Sequence, residues 1–451
     1  MLETMIAIMS EWREVFSQRR TMLRAISQAI ASACVIGRRT IARAYLITAQ
    51  QDWSGEYKLH SRSKWKSEDL FTPVLKEAMS EIDGDLLPFG SDDTRISKTG
   101  KKIKSAGWGR DPQSPKFHLN LKWGIRYLHT SLLLPLHQFG VSARALPVWF
   151  EEATAIKKPG KKATEEEKAA YRKAQKEHNL SLQAVAMFKS LRKKIDDLGY
   201  QSKTLVFALD GSFCNSNVFK AVLERIILIA RTRKNAVLCF AADQGKRVYS
   251  EICFTPEAVR QDNQIAWKTT RIFHGGRFRE IEYKELANVL WRKGSGKKPL
   301  RLFVTRPTAY RKTLNSKKLY RQPAYLLCTD LKTESRQLLQ IYFDRWQVEV
   351  AHKEMKQDFG LGQAQVRVPA SIMHQPALTA ATYSIMHLTV IKNYGAHRPE
   401  EFEAVPKYQR DKSRASSQDL IRYFRLEVSR KPYLLPPDCK ITADLLFAAA
   451  S

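Results

Sequence analysis

The spacing of apolar residues changes from helical to extended near residue 80. Apolar positions recur at helical spacing from Met22 to Ala31 and from Ile36 to Ala49, so residues 1–80 are predicted to be helical. From Asp83 onward they alternate or run continuously between glycine, proline and aspartate, as strands do. Three strands are predicted there, in DLLPFGSDDT, LNLKWGIRYLHTSLLLPLHQ and ARALPVWFE.

The next part of the chain alternates between helix and strand. A charged segment near residues 157–178 interleaves both signs without an apolar face, which predicts a solvated loop and helix. The helix SLQAVAMFKSLRKKIDDLG then precedes the strand TLVFALD, a helix from Phe219 to Arg225 and a strand around ILIAR. Three strands, helix, strand, helix and strand is the order of a ribonuclease H-like α/β fold.

Residues 241–321 interrupt that order with short alternating segments, such as RVYSEICF and REIEYKEL, and with the linker GSGKKP. These segments predict a β-rich insertion. The strand PAYLLCT and a helix beginning near Thr333 or Ser335 then restore the main domain. After residue 396 the clear helical text is SSQDLIRYFRLEV, which ends before Pro432.

The charge of the chain narrows the class of partner. Its 451 residues include 76 Lys and Arg against 45 Asp and Glu, a net charge of +31. So large an excess disfavours compaction unless a polyanion binds, and nucleic acid is the natural polyanion. No apolar run approaches the roughly 18 residues of a membrane span, and the start MLETMIAIMSEWREVF lacks the order of a secretory signal. We therefore expect a cytoplasmic nucleic-acid-binding protein with no membrane partner.

These patterns divide the chain into five segments. We predict an α/β protein with a ribonuclease H-like mixed-sheet catalytic core, a β-rich insertion and a helical N-terminal DNA-binding region. The predicted boundaries are 1–80 for the helical region, 81–240 and 322–395 for the two parts of the core, 241–321 for the insertion, and 396–451 for a C-terminal region with a role in assembly.

One predicted helical face, in IYFDRWQVEVAHKEMKQDFGLGQAQVR, carries candidate chemistry. Counted from Tyr342, the residues Arg345, Glu349, Lys353 and Lys356 follow at offsets of 3, 7, 11 and 14, close to whole helical turns. A carboxylate that could hold a divalent metal would thus lie among cations that could bind phosphates. The alternative is a solvated, salt-bridged face, because Glu349 and Lys353 form a favourable i,i+4 pair.

The same stretch resembles a known family. Tyr342-x2-Arg345-x3-Glu349-x6-Lys356, followed by glycines at 360 and 362, is similar to the YREK signature of bacterial insertion-sequence transposases of the DDE class. The resemblance implies that Glu349 is the third catalytic carboxylate. It also implies that Tyr342, Arg345 and Lys356 hold the transposon end near the cleaved phosphate, and Lys353 shares their face as a further DNA contact.

The first carboxylate is expected in SDDTRISKTGKK, where Asp92 and Asp93 are predicted to close a strand. Members of the family carry their first Asp at a strand end immediately before Thr, often with Lys and Gly shortly after, as Lys98 and Gly100 stand here. The resemblance therefore implies Asp93. Asp92 is the alternate, because strand alternation points only one of the two at the site.

Asp210 is the candidate for the second carboxylate. An isolated Asp after a strand such as TLVFALD is more often a turn or helix-cap residue. However, the fold order places this strand beside the first, and the family's second Asp stands in a similar context. The rival is Asp330, which also ends a strand, but only Asp210 leaves room for an insertion before Glu349 like that of the family.

Two further DNA contacts are expected. In GRRTIARAYLI, Arg38, Arg39 and Arg43 lie at one end of a helix and could contact phosphates or bases, although ordinary surface cations would look the same. In the insertion, Trp291 could stack on an unpaired base, as insertion-domain aromatics do in relatives of the family. A lone Trp is more often part of the core.

The resemblance implies metal-dependent DNA cleavage followed by strand transfer. Asp93, Asp210 and Glu349 would hold two Mg²⁺ ions, with Mn²⁺ as a substitute. The expected partners are double-stranded DNA, as terminal inverted repeats and as target, and a second copy of the chain in a homodimer assembled on DNA. Two alternatives are a ribonuclease H-like nuclease without strand transfer and a domesticated, non-catalytic DNA-binding protein.

Overall fold

The structure is a computed structural model that describes residues 1–441 except 49–51, 104, 112–113, 116, 154–155, 157, 243–246, 312, 314, 403–412 and 438. The chain divides into two compact units, each discontinuous in sequence. The first unit comprises Met1–Asp83, Asp93–Asn179 and the chain from Gln347 onward, and the second comprises Gly84–Asp92 and Leu180–Trp346. Of the predicted C-terminal segment 396–451, residues 403–412, 438 and 442–451 lie outside the described residues.

Within the described ranges, the α-helices are α1 Leu2–Ser10, α2 Arg19–Cys34, α3 Ile41–Ile47, α4 Trp53–Ser61, α5 Thr72–Met79, α6 Glu165–Glu177, α7 Leu180–Asp197, α8 Ser216–Phe219, α9 Pro256–Gln261, α10 Ser335–Asp344, α11 Trp346–Gln357, α12 Pro369–Tyr394 and α13 Ser417–Arg430. The strands are β1 Leu86–Ser97, β2 Gly107–Arg110, β3 Leu121–Leu134, β4 Arg144–Glu152, β5 Thr204–Leu209, β6 Ile226–Arg231, β7 Leu238–Ala241, β8 Tyr249–Phe254, β9 Lys268–Phe273, β10 Phe278–Leu290, β11 Pro299–Thr305, β12 Ala309–Tyr310, β13 Leu319–Tyr320 and β14 Tyr325–Cys328. No helix among the described residues combines the length and the apolar content that crossing a bilayer requires.

The first unit is organised around α12, which is buried along most of its length and contacts β4 and the helices α1, α2, α4 and α5. A helix that is apolar on nearly all sides is expected in such a central position. The helices α1 to α5 confirm the helical prediction for residues 1–80. In the same unit β3 pairs antiparallel with β2 and β4. Helix α6 begins with a capping box at Thr164 and Glu167 and buries no residue, which confirms the solvated helix predicted there.

The second unit contains a large mixed sheet in the order β1-β5-β6-β14-β11-β10-β7-β8, with β9 on β10. The β1–β5 and β5–β6 pairs are parallel, and the other pairs are antiparallel. Strands β5 and β6 are runs of buried Leu, Val, Ile, Phe and Ala, the composition expected of parallel strands covered on both faces. The sheet confirms the α/β class and the predicted adjacency of TLVFALD to the first strand.

Three local predictions differ from the structure. Strand β1 continues to Ser97, so Asp92 and Asp93 lie inside it and not at its end. The helix predicted from Phe219 to Arg225 is absent, because α8 ends at Phe219 and the φ angle of Arg225 is 52°, which a right-handed helix cannot include. The helix that was expected to run from Ser335 through the signature is interrupted at Arg345, between α10 and α11.

The segment 241–321 is rich in strands, as predicted. Strands β8 to β13 fall in it, with α9 as its one helix among the described residues. Its long strands β10 and β11 pair with each other, and β11 continues the sheet to β14. The boundaries of the insertion stay a prediction.

Candidate functional site

Asp92 and Asp210 each follow a residue of the last register pair between β1 and β5 in the second unit. That parallel register pairs Ser91 with Leu209; Asp92 comes next on β1, and Asp210 directly follows the end of β5. Neighbouring strands are about 4.8 Å apart, and side chains at paired positions point to the same face. Asp92, the alternate first carboxylate, therefore shares a face with the candidate second carboxylate.

The signature arginine lies close to Asp92. Arg345 Nη1 lies 3.9 Å from Asp92 Oδ2, and the two side chains are only 16% and 19% exposed. Arg345 follows α10 directly, and α10 packs on β5 and β6, the strands at the centre of the parallel pairing. This packing brings a cation from the predicted signature to the carboxyl end of β5.

Asp93 has a different partner, because alternation along β1 turns its side chain to the other face of the strand. In the first unit Arg126 on β3 donates from Nε to Asp93 Oδ2 and from Nη2 to Oδ1, both at 2.6 Å. This two-pronged ion pair engages both carboxylate oxygens. The assignment of Asp93 as first ligand stays a prediction, and the register with β5 favours Asp92.

Asp210 stabilises a turn, which is the alternative role expected of an isolated Asp after a strand. Its Oδ1 accepts hydrogen bonds from the Ser212 N–H at 2.8 Å and from the Ser212 hydroxyl at 2.6 Å. Both bonds reach Oδ1, so Oδ2 is the oxygen better placed to take a further ligand. The rival Asp330 also stabilises a turn, since its Oδ2 accepts from the N–H groups of Lys332 and Thr333 just before α10.

The signature lysine contacts the strand that carries the aspartates. Within the first unit Lys356 Nζ donates to Thr94 Oγ1 at 2.7 Å, and Thr94 is buried immediately after Asp93. Glu349 lies two turns before Lys356 on α11, about 10 Å along the helix axis, with a partly buried side chain. Lys353 is exposed on the same helix.

A second set of contacts holds the end of β1 to the chain that follows α11. Lys98 Nζ donates to the Ala364 carbonyl at 3.3 Å, and burial lowers the pKa of Lys98 to about 8. Gly362 has a φ angle of +90°, and a Cβ there would lie 2.5 Å from the Ile96 side chain. Both the backbone conformation and the close approach therefore require glycine.

A buried ion pair anchors α11 in the first unit. Glu354 Oε2 lies 3.1 Å from Arg144 Nη1 of β4 and accepts a hydrogen bond from the Tyr383 hydroxyl at 2.6 Å. Burial by itself would raise the pKa of Glu354, but Arg144 and Arg414 outweigh burial and lower that pKa. The carboxylate is therefore charged at neutral pH, and it fixes the helix that carries Glu349.

Two buried histidines lie beside the same helix. The rings of His129 and His352 are 4.5 Å apart between centroids. Burial, together with the nearby charge of Lys356, lowers the pKa of His129 to about 3, and burial lowers the pKa of His352 well below its ordinary value. Both rings are neutral near pH 7, so they add no charge beside Lys356.

The signature residues of the second unit line a cationic cavity of about 280 Å³. Tyr342, Arg345 and Trp346 contribute from the α10 end, and Arg231, Arg306, Arg321 and His274 contribute from the sheet and its loops. Burial, with Arg321 and Arg279 nearby, lowers the pKa of His274 to about 4, so that ring is neutral at pH 7. Guanidinium groups around an aromatic-lined cavity suit a phosphate ester with an attached base.

The three N-terminal arginines differ in exposure. Arg38 is exposed before α3. Arg39 is partly buried beside Gly360, where an added Cβ would lie 2.5 Å from the Cβ of Arg39. Burial, with the nearby charge of Arg425, lowers the pKa of Arg39 to about 10. The N–H of Arg43 donates to the N-cap Thr40. Arg38 is thus the most accessible of the three, and DNA contact by this group stays a prediction.

Trp291 packs within the second unit. Its ring meets Phe219 edge-on at 5.8 Å between centroids, and a Cβ on Gly294 would lie 2.0 Å from the indole. These contacts match the core role that was the alternative to base stacking. The stacking role stays a prediction.

The candidate ligands are carboxylate oxygens, the type of donor that Mg²⁺ prefers. The Oδ2 atom of Asp210 is the oxygen placed to bind such an ion. In the part of the chain that the structure describes, no three His, Cys, Asp or Glu side chains are grouped as a metal site. No protein-family model and no curated protein matches this chain. The donor chemistry is therefore compatible with Mg²⁺, and the assembly of a metal centre belongs to the proposal below.

Proposed function

We propose that the chain is a DNA transposase of the DDE class, which cleaves DNA at transposon ends and transfers the freed strand to target DNA. The proposal extends the α/β class to a ribonuclease H-like core. The contact that supports it most directly is the hydrogen bond from Lys356 to Thr94. It joins the DDT segment of β1 to the YREK-like signature, and its two residues lie 262 positions apart in the sequence.

The register of the second unit gives further support. Asp92 and Asp210 directly follow the paired residues Ser91 and Leu209 near the carboxyl end of β5, and Arg345 lies close to Asp92. Crevices at the carboxyl ends of parallel strands are where α/β sheets bind their ligands. This arrangement makes Asp92 the better first carboxylate, with Asp93 as the assignment that the resemblance implies.

Asp210 and Glu349, with Asp92 or Asp93, would hold two Mg²⁺ ions, which would activate the attacking water or 3′-hydroxyl and stabilise the leaving oxygen. No covalent enzyme intermediate is required.

The cations around the carboxylates have separate roles. Arg345 can hold a phosphate through two parallel hydrogen bonds, whereas Lys356 acts as a point charge. The Arg126 fork orients Asp93, and the Glu354 and Arg144 pair fixes the helix of Glu349. Held in place in this way, the cations would position the DNA end before any bond changes.

A second candidate is a non-catalytic DNA-binding protein. The observation in its favour is that Arg126 engages both oxygens of Asp93 and Ser212 engages Asp210, so internal contacts account for part of each carboxylate. A DNA-binding role needs only the excess of cations.

A strand-transfer assay separates these functions. Purified protein would be incubated with Mg²⁺ and labelled duplexes that carry the inverted repeats flanking the coding region, with Glu349→Gln as the matched control. Joined products that require Mg²⁺ and disappear in Glu349→Gln, while DNA binding persists, would support the transposase. Nicking without joining would indicate a plain nuclease, and binding without either product would indicate the non-catalytic protein.

A further inference from the structure

A second cavity in the second unit is lined by cations that the proposed chemistry does not use. Its volume is about 640 Å³, and its lining includes Arg231, Arg233, Lys234 and Arg260. It adjoins the cavity of the signature residues, because Arg231 and Gln322 line both.

The turn that carries Arg233 and Lys234 is held by main-chain hydrogen bonds. The Thr232 N–H donates to the Tyr325 carbonyl at 2.8 Å, and the Glu257 N–H donates to the Lys234 carbonyl at 3.0 Å. The side chains of Arg233 and Lys234 are nevertheless exposed. A fixed backbone that presents exposed cations reduces the ordering cost of binding an anion.

The carboxylate in the lining is already paired. Glu257 accepts hydrogen bonds from Arg260 at 2.6 and 3.0 Å and from the Tyr325 hydroxyl, and these contacts lower its pKa to about 2. Among the described residues, no carboxylate forms an ion pair with Arg231, Arg233 or Lys234. The lining therefore holds four cations and one carboxylate, which is a net charge of three positive units available to an anionic ligand.

The shape of the site favours one strand over a duplex. A cavity of this volume falls in the range that encloses a small ligand or a few nucleotides. A B-form duplex instead presents its phosphates on both sides of a groove about 12 Å wide. Cations that converge on one cavity, next to an aromatic-lined neighbour, match the features of single-strand binding sites.

We infer that the Arg231, Arg233 and Lys234 cavity binds the phosphates of one unpaired nucleic-acid strand. The inference goes beyond the proposed function, because it requires neither metal nor cleavage and uses residues with no assigned part in phosphoryl transfer. A free polyphosphate offers similar chemistry, so the test must separate the two sources.

The test compares two double variants of the full chain. Arg233→Ala with Lys234→Ala removes two cations from the cavity, and Lys293→Ala with Lys297→Ala removes two exposed cations from another turn of the same unit. Affinity for a labelled single strand of about 12 nucleotides is measured over a range of salt concentrations without Mg²⁺. Each phosphate contact contributes roughly 0.7 to the slope of log affinity against log salt concentration, so the loss of two contacts should flatten that slope by about 1.4. Binding at low salt should weaken about tenfold, and the control variant should show no comparable change.

Three results would overturn the inference. They are an unchanged slope in the Arg233 and Lys234 variant, an equal loss in the control variant, and an equal loss for a hairpin duplex of the same sequence. Inorganic pyrophosphate that binds as tightly as the oligonucleotide and shows the same dependence on the two cations would assign the cavity to free polyphosphate.

Two precautions keep the result interpretable. Arg233→Glu provides a single charge reversal, with a larger expected loss, if the double variant fails to fold by thermal unfolding. The measurements are repeated in the Glu349→Gln background. Single-strand binding that persists there, in a protein without strand transfer, would leave the cavity assigned even if the transposase proposal fails.

Discussion

Asp92 and Asp210 directly follow Ser91 and Leu209, which are paired on two parallel strands, although the two aspartates lie 118 residues apart in the sequence (210 minus 92). We expect Asp92→Asn to reduce Mg²⁺-dependent cleavage by about 10³-fold, because a metal ligand contributes several kcal/mol to the transition state. Asp93→Asn should retain cleavage within about tenfold, since its carboxylate already pairs with Arg126. The measurement is single-turnover nicking of a terminal-repeat duplex.

The reverse ranking would restore the assignment that the resemblance implies. The control is Asp330→Asn, which weakens a carboxylate that stabilises the turn before α10. This variant should unfold at a lower temperature than wild type and should keep its cleavage rate.

The bond between Lys356 and Thr94 predicts a measurable coupling. Thr94→Val and Lys356→Met should each lower the free energy of unfolding. The double variant should lose about 1–2 kcal/mol less than the two single variants added together, because the bond that both changes break is lost only once. Urea unfolding of the four proteins of the cycle gives this energy. A coupling near zero would mean that the bond contributes little to stability.

Arginine and lysine should not be interchangeable at the two cationic signature positions. Arg345→Ala and Lys356→Ala should each flatten the salt slope of terminal-repeat binding by about one unit per lost phosphate contact. Arg345→Lys should stay impaired, because it loses the two-pronged geometry, whereas Lys356→Arg should retain more binding. Unchanged affinity and slope in both alanine variants would identify an ordinary salt-bridged helix face.

The buried pair of Glu354 and Arg144 should dominate the stability of the first unit. Glu354→Gln should lower the unfolding free energy by about 3–5 kcal/mol, because it leaves a buried guanidinium unpaired. Tyr383→Phe removes one hydrogen bond and should cost about 1–2 kcal/mol. The folded-state pKa of Glu354 is lowered, so its contribution is present above the ordinary carboxyl pKa and is lost as pH falls through the folded value. The gap between wild type and Glu354→Gln should therefore narrow in acid, and a gap that is independent of pH would argue against this account.

Lys98 should destabilise the fold at neutral pH. Its folded pKa of about 8 lies below the ordinary 10.5, so the unfolded chain binds more protons between these values and wild-type stability rises with pH there. Lys98→Met should be more stable than wild type by up to about 3 kcal/mol near pH 7, an advantage that shrinks as pH rises from about 8 to about 10. Lys101→Met is an exposed control with no such dependence. Destabilisation by Lys98→Met near pH 7 would show that the bond to Ala364 outweighs the burial cost.

Sequence patterns predicted helices and strands well where apolar residues recurred at one regular spacing along the element. The buried runs of β5 and β6, the capped helix α6 and the break before Pro432 could all be identified from the sequence. The extension of β1 to Ser97 was missed, because Asp92 and Asp93 suggest a turn while pairing in the sheet and the buried Ile96 continue the strand. Tertiary pairing overrides local preference at such positions.

The candidate site was only partly visible in the sequence for a similar reason. The polar Arg126 within the apolar run of β3 could have signalled a paired carboxylate, but its partner depends on strand register. The arginines of the two cavities come from strand, helix and loop positions spread between residues 231 and 345, and no periodicity relates them. The preference for Asp92 over Asp93 likewise follows from a register that spacing alone does not determine.

The boundary between Asp92 and Asp93 has a practical consequence for dissecting the protein. A fragment covering only Leu180–Trp346 would lack the β1 segment Gly84–Asp92 and would expose the edge of β5 as an unpaired, apolar template for aggregation. Such a truncation should be insoluble by itself and should become soluble when a peptide of the missing segment is supplied in trans. Gene fragments designed to express this unit must therefore keep Gly84–Asp92 joined to Leu180–Trp346.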